Sequence, residues 1–180
     1  MATPPDFTAG QVLTAAQMNL IGLWLVKTQT IGNAVSSVQV TNAFSADYDD
    51  YLILLDGGVA STSCDIALTL GSASTAYYSS LFYNTYSSAT LIGFNFSNTA
   101  SFPYVGQGTT NKIIVAAKLF GPFITNRTSM SSHVIQTTTT GLSGIAGGFL
   151  NDATSYTSFT LTPSSGTLTG GRIRVYGYNE

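Results

Sequence analysis

Residues Lys112 to Phe120 read KIIVAAKLF, with seven apolar residues in nine positions. The run is too short for a helix that buries itself, and Gly121-Pro122 closes it. A near-continuous apolar run of this length is what a strand shows when both its faces are covered. The cover would be a second sheet or a neighbouring subunit. Tyr51 to Leu55, YLILL, has the same character. Elsewhere the pattern alternates. Val38 and Val40 share one face against Ser37, Gln39 and Thr41. In Arg172-Ile173-Arg174-Val175-Tyr176, Ile173 and Val175 face away from the arginines.

Working outward, short apolar segments recur roughly every 8–15 residues between Gly, Asn, Ser and Asp clusters, the rhythm of an all-β sandwich or barrel. The expected strands are Trp24 to Thr30, Ser37 to Thr41, Tyr51 to Leu55, Asp65 to Leu70, Tyr77 to Tyr83 and Thr90 to Phe96. They continue with Lys112 to Phe120, Ser129 to Thr137, Gly144 to Leu150, Ser158 to Leu161 and Gly171 to Tyr178. So many short strands in one domain imply two packed antiparallel sheets of jelly-roll type. Pro163 to Gly166 reads as a turn, and Gly170-Gly171 as a bulge or tight bend.

The N-terminal stretch differs. Thr14 and Gln17 form a T-x-x-Q capping box, with Leu13 and Met18 placed as a hydrophobic staple. A short helix is expected from about Thr14 to Leu23. The chain then divides into an N-terminal anchoring segment, 1–23, and a β-sandwich domain, 24–180.

Of the 180 residues only 8% are charged, 44% are hydrophobic and about a quarter are Ser or Thr. Disorder needs the opposite balance, and no apolar run approaches the ~20 residues that span a bilayer. Such a surface defends weakly against association, as suits a protein that works inside an assembly; an extracellular β-domain with a neutral polar surface has the same composition. A net charge of −2 with six basic residues offers no stripe to neutralise phosphates, so nucleic acid is not an expected partner. Cys64 is alone and can form no intrachain disulfide. Met1 to Gly10 lacks a basic n-region and an apolar h-region, so synthesis in a cytoplasm is expected.

Catalytic patterns are sparse. His133 is the single histidine, and no nucleophile is positioned beside it by sequence. Gly141-Leu142-Ser143-Gly144-Ile145 fails G-x-S-x-G at its last position. One histidine and one cysteine exclude the familiar zinc spacings. Asp47, Asp49 and Asp50 cluster before a strand, where a solvated or capping role is expected over a calcium site. No enzyme, metal or cofactor is expected. The aromatic residues carry more. Tyr77, Tyr78, Tyr83, Tyr86 and Tyr104, set among Ser, Thr and Asn, suit a glycan-binding surface. They suit better a β-core and subunit contacts, where a Tyr ring buries while its hydroxyl stays wet.

Three segments resemble bacteriophage tail, fibre and other minor virion proteins. They are Phe7 to Asn19 (F-x-A-G-x-x-L-T-A-A-x-M-N), Phe44 to Ile53 (F-x-x-x-Y-D-x-Y-x-I) and Thr169 to Tyr178 (T-G-G-x-I-x-V-Y-G-Y). Together they cover roughly a fifth of the chain, and the centre from Val59 to Phe159 has no such likeness. The resemblance implies a homotrimeric β-sandwich docked through its N-terminal part onto other virion proteins. Phe7, Leu13, Met18, Ile21 and Trp24 would form the anchor and oligomer interface. The expected function is a structural component of the virion, as tail fibre or adaptor. The alternatives are a head decoration or cement protein, or a receptor- or carbohydrate-binding module meeting a host surface glycan. No membrane partner is expected.

Overall fold

The computed structural model describes residues 22–178, together with Gly10 and Val12. The expected helix from Thr14, and with it Phe7, Leu13, Met18 and Ile21, lies outside the described residues. One boundary is corrected. Leu23 is not a helix end but the first residue of a strand, because Gly22 turns the chain at φ +88° and Leu23 pairs with Tyr178.

The described residues are all-β and antiparallel. In chain order the strands are β1 (Leu23–Thr30), β2 (Val38–Val40), β3 (Asp50–Asp56), β4 (Val59–Ala60), β5 (Cys64–Leu70), β6 (Tyr77–Thr85) and β7 (Ile92–Thr99). They continue with β8 (Phe102–Gly108), β9 (Ile113–Phe120), β10 (Thr128–Ile135), β11 (Leu142–Leu150), β12 (Phe159–Pro163), β13 (Leu168–Thr169) and β14 (Arg172–Tyr178). All eleven expected strands form, with ends shifted by a few residues. The sequence reading missed β4, β8 and β13.

Hydrogen bonding joins twelve strands into one sheet that divides at β9. One edge of β9 pairs with β3 along almost its whole length. On its other edge, Ile113 to Val115 pair with β8 and Ala116 to Phe120 pair with β10. One arm therefore runs β8-β5-β12-β2, and the other runs β1-β14-β3-β9-β10-β11-β6-β7.

The two arms close on a single core, giving a sandwich-like fold. Inward positions alternate with outward ones, as the two-residue strand period requires. Tyr51, Ile53 and Leu55 of β3, Ile173 and Val175 of β14, and Val115, Ala117 and Leu119 of β9 are buried from one side. From the other come Ile66, Leu68 and Leu70 of β5 and Phe159 and Leu161 of β12. Phe44 bridges the arms, its ring 4.8 Å from Tyr51 and 5.7 Å from Phe159. Tyr77 of β6 meets Phe102 of β8 edge-on at 4.8 Å, and its hydroxyl accepts the Leu70 amide at 2.8 Å. Each such large apolar side chain contributes about 1.5–3 kcal/mol on full burial.

One corner shows why the glycines sit where they do. Gly57-Gly58 follows β3 and Gly170-Gly171 precedes β14, and all four have positive φ. The two pairs touch through their backbones. A Cβ on Gly58 would lie 2.2 Å from the Gly170 carbonyl oxygen, and one on Gly171 2.4 Å from that of Gly57. Only glycine meets both demands.

The opening run needs one correction. Within β9 the inward residues Ile113, Val115, Ala117 and Leu119 are buried, but the outward Ala116 and Lys118 are only half-covered and Phe120 is exposed. Among the described residues, no second sheet lies over that face.

Candidate functional site

The outer face of the wide arm carries three parallel rows of side chains that cross the strands. Register fixes them. The middle row runs Leu52, Lys118, Ser131, Gly147, Ser80, from β3 through β9, β10 and β11 to β6. One neighbouring row runs Phe120, Ser129, Phe149, Tyr78. The other runs Leu54, Ala116, His133, Ile145, Phe82. Ser131, Gly147 and Ser80 of the middle row, flanked by His133, Ile145 and Phe82, leave a trough of about 530 Å³.

The walls are apolar and unusually bare. Ile145 is 56% exposed and Phe82 45%. Tyr78 stacks on Phe149 at 5.3 Å with the rings within 12° of parallel, and the Arg127 guanidinium lies 5.7 Å from the Phe149 ring. At one end, Lys118 bonds Asp50 at 3.3 Å and lies over the rings of Tyr178 and Phe120, at 4.3 and 4.5 Å. The lysine therefore reaches the trough already paired.

The trough brings Ser131, Ser132 and His133 together, but not as a nucleophile and its base. The Ser132 side chain turns inward, where its hydroxyl donates to the Val105 carbonyl at 2.7 Å. Among the described residues, no group of three or more His, Cys, Asp or Glu is placed to hold a metal ion. The acidic cluster disperses: Asp47 accepts the Ser45 hydroxyl at 2.9 Å, and Asp50 pairs with Lys118.

The five tyrosines expected to form one surface do not share one. Tyr77 is fully buried, and burial first of all pushes its hydroxyl up to about 12. It offers no ring face to a sugar, which corrects that expectation. Tyr78 points to the outer face, where it stacks on Phe149 beside the trough. Tyr86 stands exposed in the turn after β6. Tyr83 of β6 and Tyr104 of β8 join Phe94 and Phe96 of β7 in a ladder Tyr83–Phe94–Phe96–Tyr104 with ring spacings of 6.2, 6.4 and 5.4 Å. Phe94 and Phe96 belong to the same aromatic-rich stretch of sequence, and their alternation with Asn95 marks them as sharing a face.

Beside that ladder, Asp65 accepts a hydrogen bond from the Gln107 amide, and Gln136 donates to Gln107 at 3.3 Å. Burial raises the Asp65 carboxyl above its usual range against the opposing pull of Gln107. Burial likewise raises the Tyr104 hydroxyl, with the charge of Asp65 adding to it. Cys64, next in sequence, is a buried free thiol, pushed up by desolvation and then by Asp65. Trp24 is half-buried in β1 opposite Gly177.

Compared with known proteins, the chain matches no family model and no curated protein.

Proposed function

We propose that this chain is a structural component of a bacteriophage virion, a homotrimer whose N-terminal segment anchors it and whose β-domain is a jelly roll. The observation that carries the fold half of this reading is the strand order. Setting aside the short β4–β13 pair and the β6, β7, β10 and β11 hairpin strands, four strands lie in the order β1-β14-β3-β9 and four in the order β2-β12-β5-β8. The chain visits the two sets in the sequence wide, narrow, wide, narrow, narrow, wide, narrow, wide. That alternation supports reading the frame as the double Greek key of an eight-stranded jelly roll. The virion half rests on the three resembling segments, two of which belong to this frame. Phe44 to Ile53 leads into β3, and Thr169 to Tyr178 forms β14. The charge-poor, apolar outer face fits a chain that functions while packed against others.

On this reading the protein sits on the tail as a fibre or adaptor. A place on the head as a decoration or cement protein uses the same frame. Deleting residues 1–21 leaves β1 intact, so the test is particle incorporation of that deletion. Loss of incorporation with the β-domain still folded supports the anchor, and normal incorporation removes it.

A second reading is a glycan-binding module, favoured by the Tyr83–Phe94–Phe96–Tyr104 ladder beside Asp65 and Gln107. Aromatic faces with adjacent carboxylate and amide groups suit pyranose rings. Calorimetric titration of neutral oligosaccharides against the wild type and Phe94→Ala tests it, with heat in the first and none in the second.

A further inference from the structure

We propose that Tyr83, Phe94, Phe96 and Tyr104, together with the Asp65 carboxylate, bind an organic ammonium cation, of the kind an amino sugar or a choline-type headgroup carries. The residues are those of the glycan reading above, but charge rather than sugar shape selects the ligand, so either reading can fail without the other.

Asp65 is what calls for a cation. Among the half-buried aspartates described, Asp50 pairs with Lys118, and Asp152 accepts hydroxyl hydrogen bonds from Thr154 and Tyr156. Asp65 has neither kind of partner. Every lysine and arginine side chain is placed elsewhere: Lys27 in β1, Lys112 on Asp56, Lys118 on Asp50, Arg127 over Phe149, and Arg172 and Arg174 in β14. Burial disfavours the charged form of such a carboxylate, and a cation at hand restores it.

Hydrogen bonding aims the carboxylate without neutralising it. The Gln107 Nε2 donates to Asp65 Oδ1, while the Gln107 Oε1 accepts from Gln136 Nε2 at 3.3 Å. Gln107 is buried, so its amide is gripped at both ends and fixes one carboxylate oxygen. The other, Oδ2, accepts no hydrogen bond from the described residues.

The rings supply the rest. Successive centroids are 5.4 to 6.4 Å apart along the ladder. After burial, the charge of Asp65 and then Tyr83 raise the Tyr104 hydroxyl, so these groups of β5, β6 and β8 gather in one place. Phe94 is 46% exposed and the other three rings are half-buried, which leaves ring surface open to a ligand. Aromatic faces attract a cation lying within about 6 Å of the ring centre. Rings and carboxylate together repel an anion, and a neutral sugar leaves Asp65 uncompensated. A bare metal ion needs several oxygen ligands, and no group of three or more His, Cys, Asp or Glu is placed for one among the described residues. An ammonium clothed in carbon suits both halves of the site.

The test is calorimetric titration of the purified full chain with choline and with glucosamine. Each is run beside an uncharged counterpart, dimethylbutanol (the carbon isostere of choline) and N-acetylglucosamine. Saturable millimolar binding of at least one cation is expected, at least tenfold tighter than its counterpart. Choline alone identifies a headgroup as the source, and glucosamine alone an amino sugar. Asp65→Asn keeps an acceptor for Gln107 and removes the charge, so it should bind the cation at least tenfold more weakly with a thermal midpoint no lower than wild type. Phe94→Ala, at an exposed ring, should weaken binding as much and decides the matter if Asp65→Asn does not fold. Absence of saturable heat with both cations overturns the inference, as do counterparts that bind equally well or wild-type affinity in either variant. Heat with neutral oligosaccharides and none with the cations would leave the glycan reading standing and this one refuted.

Discussion

The Ser132 hydroxyl of β10 donates a 2.7 Å hydrogen bond to the Val105 carbonyl of β8, at the point where β9 passes from one strand to the other. Where a sheet divides, carbonyls that would face a neighbouring strand lose their partners. A buried carbonyl without one costs about 1–3 kcal/mol. The serine hydroxyl fills the gap, which explains a buried polar side chain among apolar neighbours. Ser132→Ala is therefore expected to lower stability by about 1–3 kcal/mol, read from the urea midpoint. Ser131→Ala, one residue away on the outer face, is expected to change it by less than about 0.5 kcal/mol.

Tyr77 links stability to alkaline pH. Its hydroxyl is held neutral in the folded chain up to about 12, against 10.0 for the free group. The raised value makes its contribution complete below pH 10 and progressively lost from pH 10 to about 12. The slope is about 1.4 kcal/mol per pH unit for one group. Tyr156, bonded to Asp152 at 2.5 Å and also raised by burial, adds a loss of the same sign. Urea midpoints measured from pH 8.5 to 11.5 should fall above pH 10 in the wild type. Tyr77→Phe should flatten that fall while starting lower, because the Leu70 amide has lost its acceptor.

Two ion pairs among the described residues should differ in worth. Lys112–Asp56 is short, at 2.9 Å, but both side chains are about half exposed. Lys118–Asp50 is longer yet better covered, and its ammonium also lies over two aromatic rings. Solvent screening and side-chain entropy make the first worth little, while the second gains from cation–π contact. Lys112→Ala is expected to cost less than about 0.5 kcal/mol, and Lys118→Ala about 1 kcal/mol. The gap should survive 0.5 M salt in thermal unfolding.

Much of the fold was legible because alternation is local. Val38/Val40 and Ile173/Val175 each declared their faces within five residues, and both pairs are buried as read. The missed strands had physical reasons. Phe102–Gly108 contains Pro103, Gly106 and Gly108, which normally mark a loop. It pairs anyway, with a register shift between Ile66 and Leu68 on its partner strand. Val59–Ala60 and Leu168–Thr169 are two residues each, below any periodicity. The tyrosine cluster misled because adjacency in sequence is not adjacency on a face. Tyr77 and Tyr78 point to opposite sides of one strand, a sorting that parity alone would have made. The trough was beyond reach, since it depends on the register of five strands drawn from distant parts of the chain.

The wide arm has one more consequence. Its outer strands come from two separate hairpins, β6–β7 after β5 and β10–β11 after β9, and these meet through the nine-residue pairing of β6 with β11. Neither hairpin has a full set of partners without the other. Shortening one between related chains would strand the other with an open edge. Lineages should therefore gain or shed the two together, as a hinged pair of shutters comes off a frame.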